Sequence, residues 1–194
     1  MEAHMIHSFR INGLTLRTGD LICTQDGGDS LLAGQFWRLI GKIIPGDVDH
    51  IVIYVGPGGK CVEAGAQARV ITFETGSDRW DAAQMMSQRG IEDRLYGIAY
   101  PLEGRGFDQQ EENVIRESVG RYCLEQARMR KPYNLNFFNS ATEKAFYCSQ
   151  LAYKAYLHHG IDFNTGRGVP DIPWTDRIIF PQEVWESCAH RRPV

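Results

Sequence analysis

The chain has 194 residues, of which 43% are hydrophobic and 11% aromatic, enough apolar matter for one folded unit with a core and too much for a disordered segment. Its formal net charge of -3, with no basic stripe interleaved with aromatics, argues against nucleic acid as the main partner. No apolar run approaches the length of a membrane span, so no integral membrane association is expected. The five cysteines are odd in number and show no C-x-x-C pairing, which argues against a disulfide framework or zinc site; no metal and no cofactor are expected.

Residues 1–7 lack a basic region followed by an apolar stretch, so no secretory signal is read there, and Met5 offers a second start. A cytoplasmic location is expected, although a protein exported by a dedicated secretion machine would look the same. Thr18-Gly19-Asp20 reads as a turn feeding a short strand over residues 21–23. Asp29 is the natural N-cap of a helix running to residue 40, with Leu32, Phe36 and Leu39 at helical spacing. Pro45-Gly46-Asp47 breaks the chain before a strong strand over residues 50–55. After the turn Gly56-Pro57-Gly58-Gly59 a second strand covers residues 60–64, and the two read as a hairpin. That glycine-rich turn lacks the Lys-Ser/Thr of a phosphate loop. Residues 70–73 and 97–101 read as further strands.

Asp108, with Glu111 three positions on, opens a long helix in a capping-box pattern. Val114, Ile115, Ser118, Val119, Tyr122 and Cys123 recur on its inner face. Arg128, Arg130 and Lys131 suit its negative end, and Pro132 stops it. A last helix runs over residues 148–159 to Gly160, with Leu151, Ala152, Ala155 and Tyr156 inward. The Pro- and Trp-containing tail is expected to wrap the surface. Strands in the first half and helices at both ends imply a single α+β domain, residues 1–194, around a small antiparallel sheet.

Chemistry concentrates in two segments. In the strand at residues 50–55, a period of two puts His50, Val52 and Tyr54 on one face and Ile51, Ile53 and Val55 on the other. The aliphatic face must be core, so the face with His50 and Tyr54 is expected to border a cleft. Glu63, on the neighbouring strand, is placed to reach the imidazole and fix its tautomer. Cys148 stands at the first turn of its helix, where free N–H groups and the positive end of the dipole favour a thiolate and can hold an oxyanion. Cys23, Cys61 and Cys123 lie on apolar elements and read as structural, and Cys188 reads as a surface thiol. His158-His159 reads as a solvated helix end.

The blocks Gly19-Asp20-Leu21-Ile22, Asp49-His50-Ile51-Val52-Ile53-Tyr54-Val55-Gly56, Val62-Glu63-Ala64, Lys131-Pro132-Tyr133 and Tyr147-Cys148-Ser149-Gln150-Leu151 occur in that order. Over residues 17–185 this resembles the permuted branch of the NlpC-type cell-wall peptidase superfamily, the YiiX-like proteins, a group related to the lecithin:retinol acyltransferase-like enzymes. The resemblance implies a circularly permuted papain-like fold, a small antiparallel sheet or partial barrel packed on helices, with the histidine strand preceding the cysteine helix. It implies Cys148, His50 and Glu63 as catalytic triad, with Tyr54, Tyr147 and Ser149 on the substrate side. The chain departs from the family pattern at Gln150, where Glu is frequent, and at Asn134, where Asp is common.

The expected activity is that of a cysteine hydrolase cleaving an amide in a small peptide or amino-acid conjugate through a thioester acyl-enzyme. An acyltransferase, thioesterase or esterase on fatty-acyl substrates is the alternative enzyme. A non-catalytic module that binds ligand in the same cleft is the alternative outside enzymes.

Overall fold

The structure, a computed structural model, describes residues 6–25, 45–170, 173 and 175–193. The helix expected over residues 29–40 lies outside them. Eight strands are present among these residues: β1 (Ser8–Ile11), β2 (Leu14–Arg17), β3 (Leu21–Gln25), β4 (His50–Gly56), β5 (Lys60–Ala64), β6 (Val70–Glu74), β7 (Arg94–Tyr100) and β8 (Ala189–Arg191). The helices are α1 (Ala82–Arg89), α2 (Gln109–Arg128), α3 (Cys148–Leu157) and α4 (Pro181–Glu186). Six strands form one antiparallel sheet in the order β6-β5-β4-β3-β7-β8, and β1 pairs separately with β2. The fold is therefore α+β around an open sheet, not a closed barrel.

β4 lies near the middle, and every one of its residues is buried. Ile51, Ile53 and Val55 face a core closed by Ile115, Val119 and Cys123 of α2, Leu151, Ala152, Ala155 and Tyr156 of α3, and Val184 and Trp185 of α4. Each buried Ile, Leu or Val among them contributes about 1.5–3 kcal/mol by leaving water. Val52 and Tyr54 face a second core built from Ile11 and Leu16 of the hairpin, Phe73, Trp80 and Met85. The expectation that Tyr54 borders a cleft meets a side chain with no exposed surface, stacked on Phe9 at 6.0 Å within this core. The alternation along β4 is real, and both faces of the sheet are covered by apolar side chains.

The β1–β2 hairpin that provides this cover turns on Asn12 and Gly13, with φ of 46° and 82°, the left-handed pair that a two-residue hairpin needs. α2 begins as its sequence requires: the Asp108 carboxylate accepts from the amides of Gln110 and Glu111, and the Glu111 carboxylate accepts from the Asp108 amide. Its inner face is Ile115, Val119 and Cys123, whereas Val114 is exposed, so the stripe is narrower than the spacing suggests.

The tail does not wrap the surface. α4 buries Trp185 against Tyr96 of β7, with ring centroids 5.0 Å apart, and β8 adds the sixth strand by pairing with β7. Cys188 between them is buried, not a surface thiol. Among the described residues no helix is long and apolar enough to cross a membrane.

At Gly97 of β7 sheet and tail approach closely. A Cβ there would lie 2.4 Å from the Arg191 carbonyl oxygen and 2.6 Å from the Trp185 ring. Gly97→Ala is predicted to cost about 1–3 kcal/mol in urea denaturation and to speed amide exchange in β8 selectively. Unchanged stability with full β8 protection would refute this packing.

Candidate active site

α3 is held by its first residues. Tyr147 is the N-cap, in extended conformation with φ of -95°, and Cys148 is the first helical residue. The Ser149 hydroxyl donates to the Ile179 carbonyl at 2.6 Å, and the Tyr147 hydroxyl accepts from the Ile179 amide at 3.0 Å. Both side chains are almost wholly buried, and through these bonds they pin the helix start to the chain before α4. Gln150, also buried, accepts from the Asn134 side chain at 2.9 Å and donates to the Thr142 carbonyl at 2.9 Å. Asn134 in turn donates to the Asn139 carbonyl at 3.1 Å. Each amide both gives and receives, which an ionised carboxylate at either position cannot do. The two departures noted in the sequence are thus one matched pair.

His50 opens β4, and Glu63 stands on β5. The imidazole Nε2 lies 2.6 Å from the Glu63 Oε2. An ionised carboxylate only accepts, so Nε2 carries the hydrogen and Nδ1 is the ring nitrogen left for another partner. The Cys148 thiol lies near enough for the charges of thiol and imidazole to shift one another. The sulfur also faces the backbone N–H groups of Ile51 and Ser149. The β4–β5 register begins at Ile53↔Val62 and does not extend back to Ile51, so the Ile51 amide is turned to the sulfur instead of a ladder partner. Gly65 lets the carboxylate lie close to the chain, since a Cβ there would come within 3.1 Å of the Glu63 side chain.

Behind Glu63 stands Arg89, the last residue of α1 and without exposed surface. It donates from Nε to Glu63 Oε1 at 3.0 Å and from Nη2 to Glu63 Oε2 at 2.6 Å. From Nη1 and Nη2 it also donates to the two oxygens of Asp93, at 2.8 and 3.0 Å. Phe73 and Trp80 both border it, with ring centroids 4.8 and 5.1 Å from the guanidinium carbon and the two rings edge to face with each other. Asp93 is completed by the Thr24 hydroxyl at 2.8 Å and the Trp80 indole N–H at 3.0 Å. Neither Arg89 nor Asp93 was evident from the sequence. The available signal was the bracketing of residues 82–89 by Asp81, an N-cap that accepts from the Gln84 amide, and Gly90, at φ of 76°.

Burial opposes every charge in this group, and the pairings overcome it. Burial pushes the Cys148 thiol up, but the His50 imidazolium and the two backbone N–H groups outweigh it and bring the thiol below its ordinary value. Burial works against an imidazolium, but Cys148 and Glu63 together raise His50 well above its ordinary value. For Glu63 burial is again the largest single influence, yet Arg89 and His50 bring the carboxyl down to about 2. The other four cysteines are raised by burial, Cys123 and Cys188 to about 12. One thiol of five is therefore shifted toward the thiolate form. Such a pair can attack a carbonyl carbon, pass the proton through His50 and hold the oxyanion on backbone N–H groups. Among the described residues no three of His, Cys, Asp or Glu are grouped to hold a metal ion.

Because the Glu63 carboxyl sits at about 2 in the folded protein against an ordinary 4.5, the unfolded chain binds its proton first as the pH falls. Its stabilisation, on the order of 3 kcal/mol, is intact above 4.5 and is lost as the pH falls toward 2. Glu63→Gln is predicted to be several kcal/mol less stable than wild type at neutral pH. The gap should narrow as urea denaturation is repeated below pH 4.5; a constant gap would contradict the pairing.

The sequence and the fold were compared with protein-family models, curated proteins and solved structures, and none of them matches this chain.

Proposed function

We propose that the protein is a cysteine-dependent hydrolase of the permuted papain-like type, acting on an amide in a small peptide or amino-acid conjugate. The observation that carries this reading is the single activated thiol: Cys148, at the start of α3, is the one cysteine drawn toward thiolate, and the imidazole that draws it is oriented by a buried carboxylate. Support also comes from chain order, with the His50 strand ahead of the Cys148 helix, as a permuted arrangement requires. In this mechanism the Cys148 thiolate attacks the carbonyl carbon and the oxyanion rests against the N–H groups of Ile51 and Ser149. The His50 imidazolium then protonates the leaving amine, giving a thioester. Water, deprotonated by the now neutral His50, attacks the thioester carbonyl; collapse releases the acid, and Cys148 and His50 return to their starting state. Glu63 holds the ring in the tautomer that these steps need.

A fatty-acyl ester or thioester is the second reading, and one observation favours it. Leu135 and Phe138 are large, apolar and exposed on the loop before α3, which is packed against the helix start through the Phe137–Tyr147 ring contact at 5.3 Å. If they receive an acyl chain, Leu135→Ser with Phe138→Ser should raise KM for long-chain esters and leave short-chain esters and peptide amides unchanged. Equal effects on all substrates would remove this reading.

The primary test needs no substrate. Cys148 is predicted to react with iodoacetamide at neutral pH faster than the other four thiols, followed by mass spectrometry of the labelled peptides. His50→Ala should slow it by about tenfold or more, because an unassisted thiol is only a few per cent ionised at pH 7. Glu63→Gln should act less, since it reaches the sulfur only through the ring. Uniform labelling of all five cysteines, or a rate indifferent to His50, would favour a binding module over an enzyme. On any substrate found, activity should withstand chelators and be abolished by alkylation.

A further inference from the structure

Resting on the thiolate–imidazolium reading above, we propose that Asp93, acting through Arg89, is a positioning residue that keeps His50 in its protonated form. Glu63 and Arg89 by themselves are a neutral pair, and Arg89 Nη2 donates to the same Oε2 that receives His50. An imidazolium beside that pair would meet a full positive charge across one shared oxygen. Asp93 changes the sum. It takes Nη1 and a share of Nη2, so one cation lies between two carboxylates and the unit carries one net negative charge, directed at His50.

The geometry is built for this and is not an incidental ion pair. Asp93 and Arg89 have no exposed surface. Thr24, which donates to Asp93 Oδ2, sits opposite His50 in the β3–β4 register. Trp80 covers the guanidinium and donates to Asp93, and its own amide is held by the Asn12 side chain in the hairpin turn at 2.8 Å. The groups facing His50 and its partners are Glu63 from β5, Cys148 from α3, Arg89 and Asp93 from α1 and the residues after it, Cys23 from β3, and Tyr133 from the loop before α3. Asp49 adjoins His50 in the chain. Burial holds the Cys23 thiol and the Tyr133 phenol in their neutral forms, so neither supplies the charge at issue.

The test measures the imidazolium beside the thiolate. The full-length protein is alkylated at Cys148 with iodoacetate and with iodoacetamide across pH, and the ratio of the two rates is followed. An imidazolium attracts the anionic reagent and not the neutral one, so the ratio falls as His50 loses its proton. In Asp93→Asn the fall should move to lower pH by about one unit or more. A loosened but otherwise unaltered site would change both rates together and leave the midpoint in place; an unmoved midpoint overturns the proposal. If Asp93→Asn does not fold, His50 is titrated by NMR in Cys148→Ser, which keeps the whole cluster. A midpoint above the ordinary imidazole value of about 6.5 supports the proposal, and one at or below it overturns it. Indifference of Cys148 to His50→Ala would instead remove the dyad itself, a result distinct from an unmoved midpoint in a protein that still depends on His50.

Discussion

A guanidinium with no exposed surface organises this protein. Taking Arg89 out of water is costly, and the cost is offset only if its donors are matched in direction as well as in charge. Two carboxylates meet that demand, one from β5 and one from the residues leading into β7, and the rings of Phe73 and Trp80 pack beside it. Once those positions are set, little else in the region is free. Glu63 has one direction left in which to accept a proton donor, and His50 occupies it. The hairpin turn at Asn12 must reach Trp80, and α1 must end where Arg89 can enter the core. The placement of His50 in β4 is thus fixed by groups on β5, α1 and the hairpin turn.

The same charge has opposite consequences for the cysteines. Cys61 neighbours Arg89 and Glu63 on the second face, yet burial dominates and its thiol is raised. Cys148 is scarcely more exposed, but it has a helix start, a strand amide without a ladder partner and an imidazole. The lowering of the Cys148 thiol follows first from the His50 imidazolium and then from the N–H groups of Ile51 and Ser149, not from access to water.

Much of this was legible in the sequence because it is local. The aliphatic alternation of residues 50–55, the capping pair Asp108 and Glu111, the glycine stop at Gly160 and the hairpin across Gly56–Gly59 are each settled by near neighbours. His50, Glu63 and Cys148 could be named because their residue types carry chemistry at those positions. What was not legible depends on partners far along the chain. Nothing near Tyr54 says that a hairpin more than thirty residues earlier covers its face. Nothing near Tyr147 and Ser149 says that residue 179 will claim both side chains. Arg89 reads as the basic end of a short helix until its two carboxylates are brought round it. The Asn12-Gly13 turn is the exception: its signal was local and was overlooked, and with it went the second core.

The open sheet leaves two outer strands, and both are guarded against pairing with another chain. On β6 the Val70 amide donates to the Lys131 carbonyl at 2.8 Å, and the Glu74 amide donates to the Gln88 side chain at 3.2 Å. A foreign strand would have to displace both before it could dock. β8, on the far side, is three residues long and presents His190 and Arg191 outward. Short length, charge and capped amides are the means by which sheet proteins resist edge-to-edge aggregation. A sheet can therefore stay open without closing into a barrel and without recruiting further strands at its edges.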